Sequence, residues 1–229
     1  MSTPELFRLA SALAAYPSPE TLARIDLALA EDPDAPLSES LALALTAFEA
    51  RPSRERESDY VELFDRGVAD NPLHGTGYAL DRAYGVAERL ADVGAFYTAF
   101  GTASVGGERL DHVAVELEFY SWLLQKELFL EAAGNGEGVE IVADARRKFL
   151  AEHLGPLAAA IGRRPAIARS SPYGPLFSWI AELTAAEVAA EGLEIVPLEL
   201  ARGRGEPEAV ECAAACQAPS TTRFPVVPT

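Results

Sequence analysis

The chain carries only two cysteines among its 229 residues, Cys212 and Cys216, both near the C-terminus. That excludes a disulfide-stapled secreted fold for the main body. Their i, i+4 spacing could set two thiols on one helical face, but two ligands do not close a zinc site. A tail with incidental cysteines is the favoured reading. Histidine is as sparse, with His74, His112 and His153 alone and no His-Glu-x-x-His pattern among them. The Gly-x-Ser-x-Gly elbow of a serine hydrolase and the Gly-x-x-x-x-Gly-Lys loop that cradles phosphates are both missing. No run approaches the roughly 20 apolar residues that span a bilayer. From Met1 to Glu20 the sole basic residue is Arg8, and Glu5 precedes the apolar stretch. A secretory signal needs a basic region first, so this segment is expected to be the first helix of a protein that stays in the cytoplasm.

Positive charge is scarce too. Nineteen basic residues, of which only Lys126 and Lys148 are lysines, face 35 acidic ones, for a net charge of −16. Such a surface repels nucleic acid and anionic membranes and suits a cationic partner such as a basic peptide. The generally acidic surface of a high-GC or salt-adapted source accounts for the charge equally well. Hydrophobic residues at 49% and charged residues at 24% describe a globular chain with enough length for one well-filled core.

Helical signals dominate what is present. Leu6, Leu9, Ala10 and Leu13 recur at helical spacing before Pro17. Ser18-Pro19 then restarts a helix, with Ser as cap and Pro in the first turn. Further helices are expected over about 37–49, 53–64, 78–100, 109–132, 139–161 and 173–191, with breaks at Gly67, Gly75–Gly77, Gly101, Gly106-Gly107, 134–138 and 163–172. No β-alternation and no hairpin dipeptide interrupts them. The expectation is an all-α, single-domain bundle of about eight helices over residues 1–193. Residues 194–229, rich in Gly, Pro, Ser and Thr, read as a flexible tail.

The most informative segment runs from Glu108 to Phe119. On a helical projection Val113, Leu117, Tyr120 and Leu124 form one apolar face, while Val115, Phe119, Trp122 and Leu123 cover much of the rest. The helix is therefore expected to be central. Asp111, Glu118 and Gln125 fall on one polar stripe, and His112 and Glu116 on another. An imidazole and a carboxylate so placed could ligate a metal, act as an acid–base pair, or satisfy neighbouring backbone. Without further ligands or a nucleophile, the structural role is favoured.

The run Leu110-Asp111-His112-Val113-Ala114-Val115-Glu116-Leu117-Glu118-Phe119 resembles the D-H-[LIV]-A-x-E-L-x-F signature of the TorD/DmsD/NarJ family of molybdoenzyme maturation chaperones. Three more segments agree in order and spacing. Tyr60–Asp65, extended by Arg66-Gly67, is similar to the Y-x-x-L-F segment of NarJ-type members. Leu90–Gly101 resembles the helix end L-A-D-x-x-x-F-Y-x-A-F-G, and Phe149–Pro156 the pattern F-x-x-x-H-L-x-P. Together they cover about residues 60–156. The chain departs from its relatives after Pro72-Leu73-His74. Two positions that are often acidic there are Gly75 and Gly77, and Leu157 replaces a frequent Trp.

This resemblance implies an all-helical cytoplasmic chaperone, not an enzyme and without a cofactor of its own. Its partner would be the apo catalytic subunit of a DMSO-reductase-superfamily enzyme, bound at the N-terminal twin-arginine signal or a related segment. Cofactor insertion would be assisted and export delayed. No nucleic acid or stable membrane association is expected, and the chain would be a monomer or homodimer. Asp111 and His112 match family positions implicated in peptide binding. Glu116, Glu118, Trp122, Tyr60 and Tyr97 are the further candidates, with Phe64 more a core residue. Carboxylates beside an apolar groove suit paired guanidiniums followed by an apolar segment. The competing readings are a helical metal-dependent hydrolase using His112 and Glu116, and a structural adaptor that recognises no signal peptide.

Overall fold

The structure is a computed structural model and describes residues 1–30, 36–66, 70–78, 83–102, 109–170 and 172–200. Among these the fold is all-helical, without a strand; the only extended pairing is an isolated bridge between His74 and His112. None of the helices is long and apolar enough to cross a membrane.

Helix α1 (Thr3–Ala14) starts where the Ser2 N–H donates to the Glu5 carboxylate at 2.6 Å, half of a capping box. It is buried well beyond one stripe, since Phe7, Leu9, Ala10, Leu13 and Ala14 are all inaccessible. Helix α2 (Pro19–Ala30) begins as expected at Ser18-Pro19, with Ser18 Oγ accepting from Thr21 N at 3.2 Å. Ser38 caps α3 (Glu39–Glu49) in the same way. Helix α4 (Ser53–Tyr60) runs on into a π-helical turn, Val61–Arg66.

Helix α5 spans Ala83–Ala99 and ends at Gly101, whose positive φ of 66° is the usual close of a helix. Tyr78, expected to open that helix, lies ahead of it and is not helical, and its hydroxyl donates to Pro72 O at 3.1 Å. Helix α6 (Val113–Ala132) forms the most extensive interface of the fold, with α1. Ser121 Oγ on α6 donates to Pro4 O at 2.7 Å across that interface. The single helix expected over 139–161 is three pieces: α7 (Gly136–Phe149), a π-helical turn (Leu150–Leu154) and α8 (Gly155–Gly162). The expected break after it holds a one-turn helix, α9 (Pro165–Ala168). Helix α10 (Tyr173–Ala190) packs on α3 and α8.

Arg146 joins α7 to its neighbours: it reaches Glu127 at 2.7 Å, the Tyr120 hydroxyl at 3.1 Å and Glu191 at 2.6 Å. Past α10 the chain turns back in extended form along α8. Leu198 N donates to Pro156 O at 3.2 Å, and Ile195, Leu198 and Leu200 pack on the core. The rest of the expected tail, with Cys212 and Cys216, and the breaks at Gly67 and Gly106-Gly107 lie outside the described residues.

Candidate functional site

His112 is not within α6 but caps it. Its backbone is extended, and its Nδ1 accepts from Ala114 N at 3.2 Å. An imidazole accepts at Nδ1 only when neutral, so Nε2 carries the proton. Burial pushes its pKa down to about 4, with His74 and Arg109 adding to the effect. Asp111 precedes it and is fully buried. Its backbone O accepts from Gly75 N at 3.0 Å and its Oδ2 from Thr76 N at 2.8 Å, while Arg109 lies 3.2 Å from Oδ1. Burial alone would raise the Asp111 pKa, but hydrogen bonding from Thr76 and the charge of Arg109 outweigh it and hold the carboxyl below its ordinary value. Arg109 also donates to Thr76 Oγ1, and Val113 N donates to Leu73 O at 2.7 Å. The start of α6 and the loop of residues 72–78 are thus one hydrogen-bonded unit.

That unit forms one wall of an open cavity of about 270 Å³ lined by Tyr16, Tyr60, Phe64, Asp65, Leu73, His74, Arg109 and His112. The opposite wall is aromatic. Tyr16 stands edge-on to Tyr60 at 5.4 Å, and Tyr60 to Phe64 at 4.9 Å, backed by Tyr173 and Phe177. The π-turn after Tyr60 leaves Phe64 buried and Asp65 exposed at the mouth. At the rim Asp65 and Arg109 offer one charge of each sign. The cavity can bury apolar or aromatic side chains and meet a polar one at its edge.

Of the residues expected at a peptide site, Tyr60 and His112 line this cavity, and Asp111 supports it from behind. Tyr97 is buried, donating to Leu110 O at 2.8 Å and so fixing the segment before Asp111. Glu116 is fully buried and faces Arg89 on α5 at 3.4 Å. Glu118 and Trp122 do not line the cavity. Glu118 is exposed beside Arg24 of α2 at 3.5 Å, and Trp122 stacks on Phe119 at 6.0 Å. Asp111 and Glu118 share no helical stripe, because Asp111 lies outside the helix. Phe64 is buried, as expected, but also reaches the cavity. Tyr16, Asp65, Leu73, His74 and Arg109 had not been singled out for a site.

Nor do His112 and Glu116 converge as metal ligands or as an acid–base pair. The His112 Nδ1 is engaged by the backbone and Glu116 by Arg89. Among the described residues, the imidazole–carboxylate cluster with ligand-like proximity lies elsewhere, at Asp92, Glu152 and His153. The hydrolase reading loses its geometric basis.

The two glycines that depart from the relatives have a local cause. A Cβ on Gly75 would overlap the Arg89 guanidinium, and one on Gly77 would overlap the Pro72 ring. A side chain at Gly75 would have to displace the Arg89 guanidinium, and one at Gly77 the Pro72 ring.

The family model for the nitrate reductase delta subunit matches residues 30–161, more than half of the chain and nearly all of the cavity lining. No curated protein and no solved structure matches the chain. From α3 to α8, with the Tyr60–Asp65 segment and the Asp111–Phe119 run inside the matched span, the chain belongs to the nitrate reductase delta subunit family, a family of molybdoenzyme maturation chaperones.

Proposed function

We propose that the chain is a cytoplasmic chaperone that binds the N-terminal segment of a molybdenum-cofactor oxidoreductase of the DMSO reductase superfamily. The segment is a twin-arginine signal or a related leader, and the cavity at the start of α6 receives it. The chaperone acts without catalytic turnover. It holds the apo catalytic subunit open to cofactor insertion and delays export until the subunit is loaded.

One observation carries this reading: two family segments some fifty residues apart, Tyr60–Asp65 and the Asp111–Phe119 run through its His112, meet at the same opening. Tyr16, Tyr60, Phe64 and Leu73 supply the apolar surface that a leader's hydrophobic stretch would bury. Asp65 at the mouth can accept a guanidinium, and a charge-assisted pair there would fix register more than affinity. Asp111 acts by positioning, since its oxygens are already committed to Thr76 and Arg109.

Calorimetry tests the proposal with the full-length protein and a synthetic leader from the molybdoenzyme encoded beside its gene. A one-to-one complex near micromolar affinity is expected, about −8 kcal/mol. Absence of binding to every such leader and to the apoenzyme would sink it. Undiminished maturation with a folded protein altered at Tyr16 and Asp65 would favour the adaptor that reads no leader.

A further inference from the structure

His153 sits in the π-helical turn between α7 and α8 and is almost fully buried, 3% exposed, between the rings of Phe96 and Phe149 at 5.5 and 5.4 Å. Neither of its ring nitrogens has a hydrogen-bond partner. Its Nε2 lies 3.0 Å from Asp92 Oδ2 of α5, close enough for an ion pair but off the line of a hydrogen bond. A buried imidazole whose Nδ1 has no partner and whose Nε2 meets Asp92 only off the line of a hydrogen bond costs free energy, and such a group in a folded protein calls for an explanation.

The explanation lies in what else points at the same place. Glu152, next in the π-turn, brings a carboxylate so that one ligand atom from each of Asp92, Glu152 and His153 lies within 4.8 Å of the others. Both carboxylates are exposed and the imidazole is buried. An ion could therefore enter from solvent and meet a preformed nitrogen at the back. Tetrahedral bonds of about 2.0–2.2 Å put neighbouring ligands about 3.4 Å apart, close to the spacing of Nε2 and Oδ2. Arg89, the cation that acts on His153, is held by a hydrogen bond to Glu116 at 3.4 Å. π-Turns recur where a helix must re-aim side chains for function.

We propose that Asp92, Glu152 and His153 form a binding site for a divalent first-row transition ion, with a solvent-facing fourth position. One imidazole and two carboxylates suit Zn²⁺, Mn²⁺ or Fe²⁺ better than Ca²⁺ or Mg²⁺, which prefer all-oxygen shells. The ion staples α5 to the turn between α7 and α8. The site is separate from the leader cavity, and none of its residues lines that cavity.

The test uses the full-length protein in a C212S/C216S background, stripped with chelator and titrated with ZnCl₂ by calorimetry. One zinc per chain is expected, with a raised Tm. The exposed variants D92N and E152Q should keep the parent's Tm in chelator. Losing a second-shell partner already costs 10–100-fold in metal affinity, so losing a ligand should cost no less than about tenfold. The imidazole nitrogen resonances of His153 should shift on zinc addition while those of His74 and His112 stay in place. No heat at submillimolar zinc, affinity unchanged in both variants, or an unmoved His153 would each overturn the site.

Discussion

Gly75 lies directly against the guanidinium of Arg89, which in turn pairs with the buried Glu116. Glu116 belongs to the run that resembles the family signature, and Arg89 comes from α5 to meet it beneath the loop. A side chain at Gly75 would have to push the Arg89 guanidinium away from Glu116. G75A should therefore destabilise the fold by about 1–3 kcal/mol through overpacking. R89A removes the obstacle, so the double variant should cost less than the two single costs combined. Urea denaturation of all four proteins measures the coupling, and strict additivity would show that the overlap is absorbed elsewhere.

The same contact sets a pH dependence. Burial pushes the Glu116 pKa up to about 8, against the opposing pull of Arg89. A carboxyl with a raised folded pKa binds its proton more tightly in the native state. Its contribution to stability is thus greatest at low pH and declines as pH rises from the ordinary 4.5 towards 8. E116Q cannot lose a proton. The urea midpoint of the unmodified protein, relative to that of E116Q, should fall steadily across this interval.

His112 gives the opposite slope. Its pKa is lowered from 6.5 to about 4, chiefly by burial, so the stability it supports is present above 6.5 and lost as pH falls through 4. Its Nδ1 is also the cap of α6. H112A should cost about 1 kcal/mol at neutral pH, whereas H112N, with a side chain favoured at caps, should retain most of it. Both variants should lose less stability on acidification. His153, lowered over the same range by burial and Arg89, keeps part of the acid sensitivity. Thermal unfolding between neutral pH and pH 4 measures all three.

The cavity and the outer face of α6 make different demands on a leader peptide. Tyr16 is 37% exposed and forms the outer aromatic wall. Y16A should lower leader affinity by about tenfold, or about 1.4 kcal/mol, with little loss of fold stability. Glu118 lies away from the cavity in an exposed pair with Arg24. E118Q should leave both affinity and stability nearly unchanged, because such pairs contribute about 0–1 kcal/mol. A larger effect of E118Q than of Y16A in the same titration would move the binding surface to the α2–α6 face.

Much of this was legible in the sequence, and the failures have physical reasons. The start of α2 follows from Ser18 and Pro19 in capping roles, α1 from its apolar spacing, and the central position of α6 from apolar residues on more than one face. The start of α6 was set several residues early, because histidine is not among the usual caps and Asp111-His112 reads as a first turn. That shift placed Asp111 on a stripe with Glu118 that does not exist. The π-turns at Val61–Arg66 and Leu150–Leu154 are invisible to periodicity, since one widened turn leaves the apolar pattern nearly intact. Arg89 could not be paired with Glu116, 27 residues away, without knowing that α5 crosses α6 at that level. Tyr16 and Arg109 carry no signal in the sequence for the same reason: each joins the cavity through tertiary packing, and neither belongs to a local pattern.

The docking of α1 on α6 has a consequence for the order in which the molecule becomes competent. The cavity takes Tyr16 from just past the end of α1 and His112 from the start of α6, nearly a hundred residues later. Closing so long a loop is slow relative to local helix formation, and it has nothing to close onto until α6 exists. A nascent chain still lacking Val113–Ala132 therefore has Tyr16, Tyr60 and Phe64 but no pocket. The cavity is complete only when the ribosome has released the helix that supplies this wall.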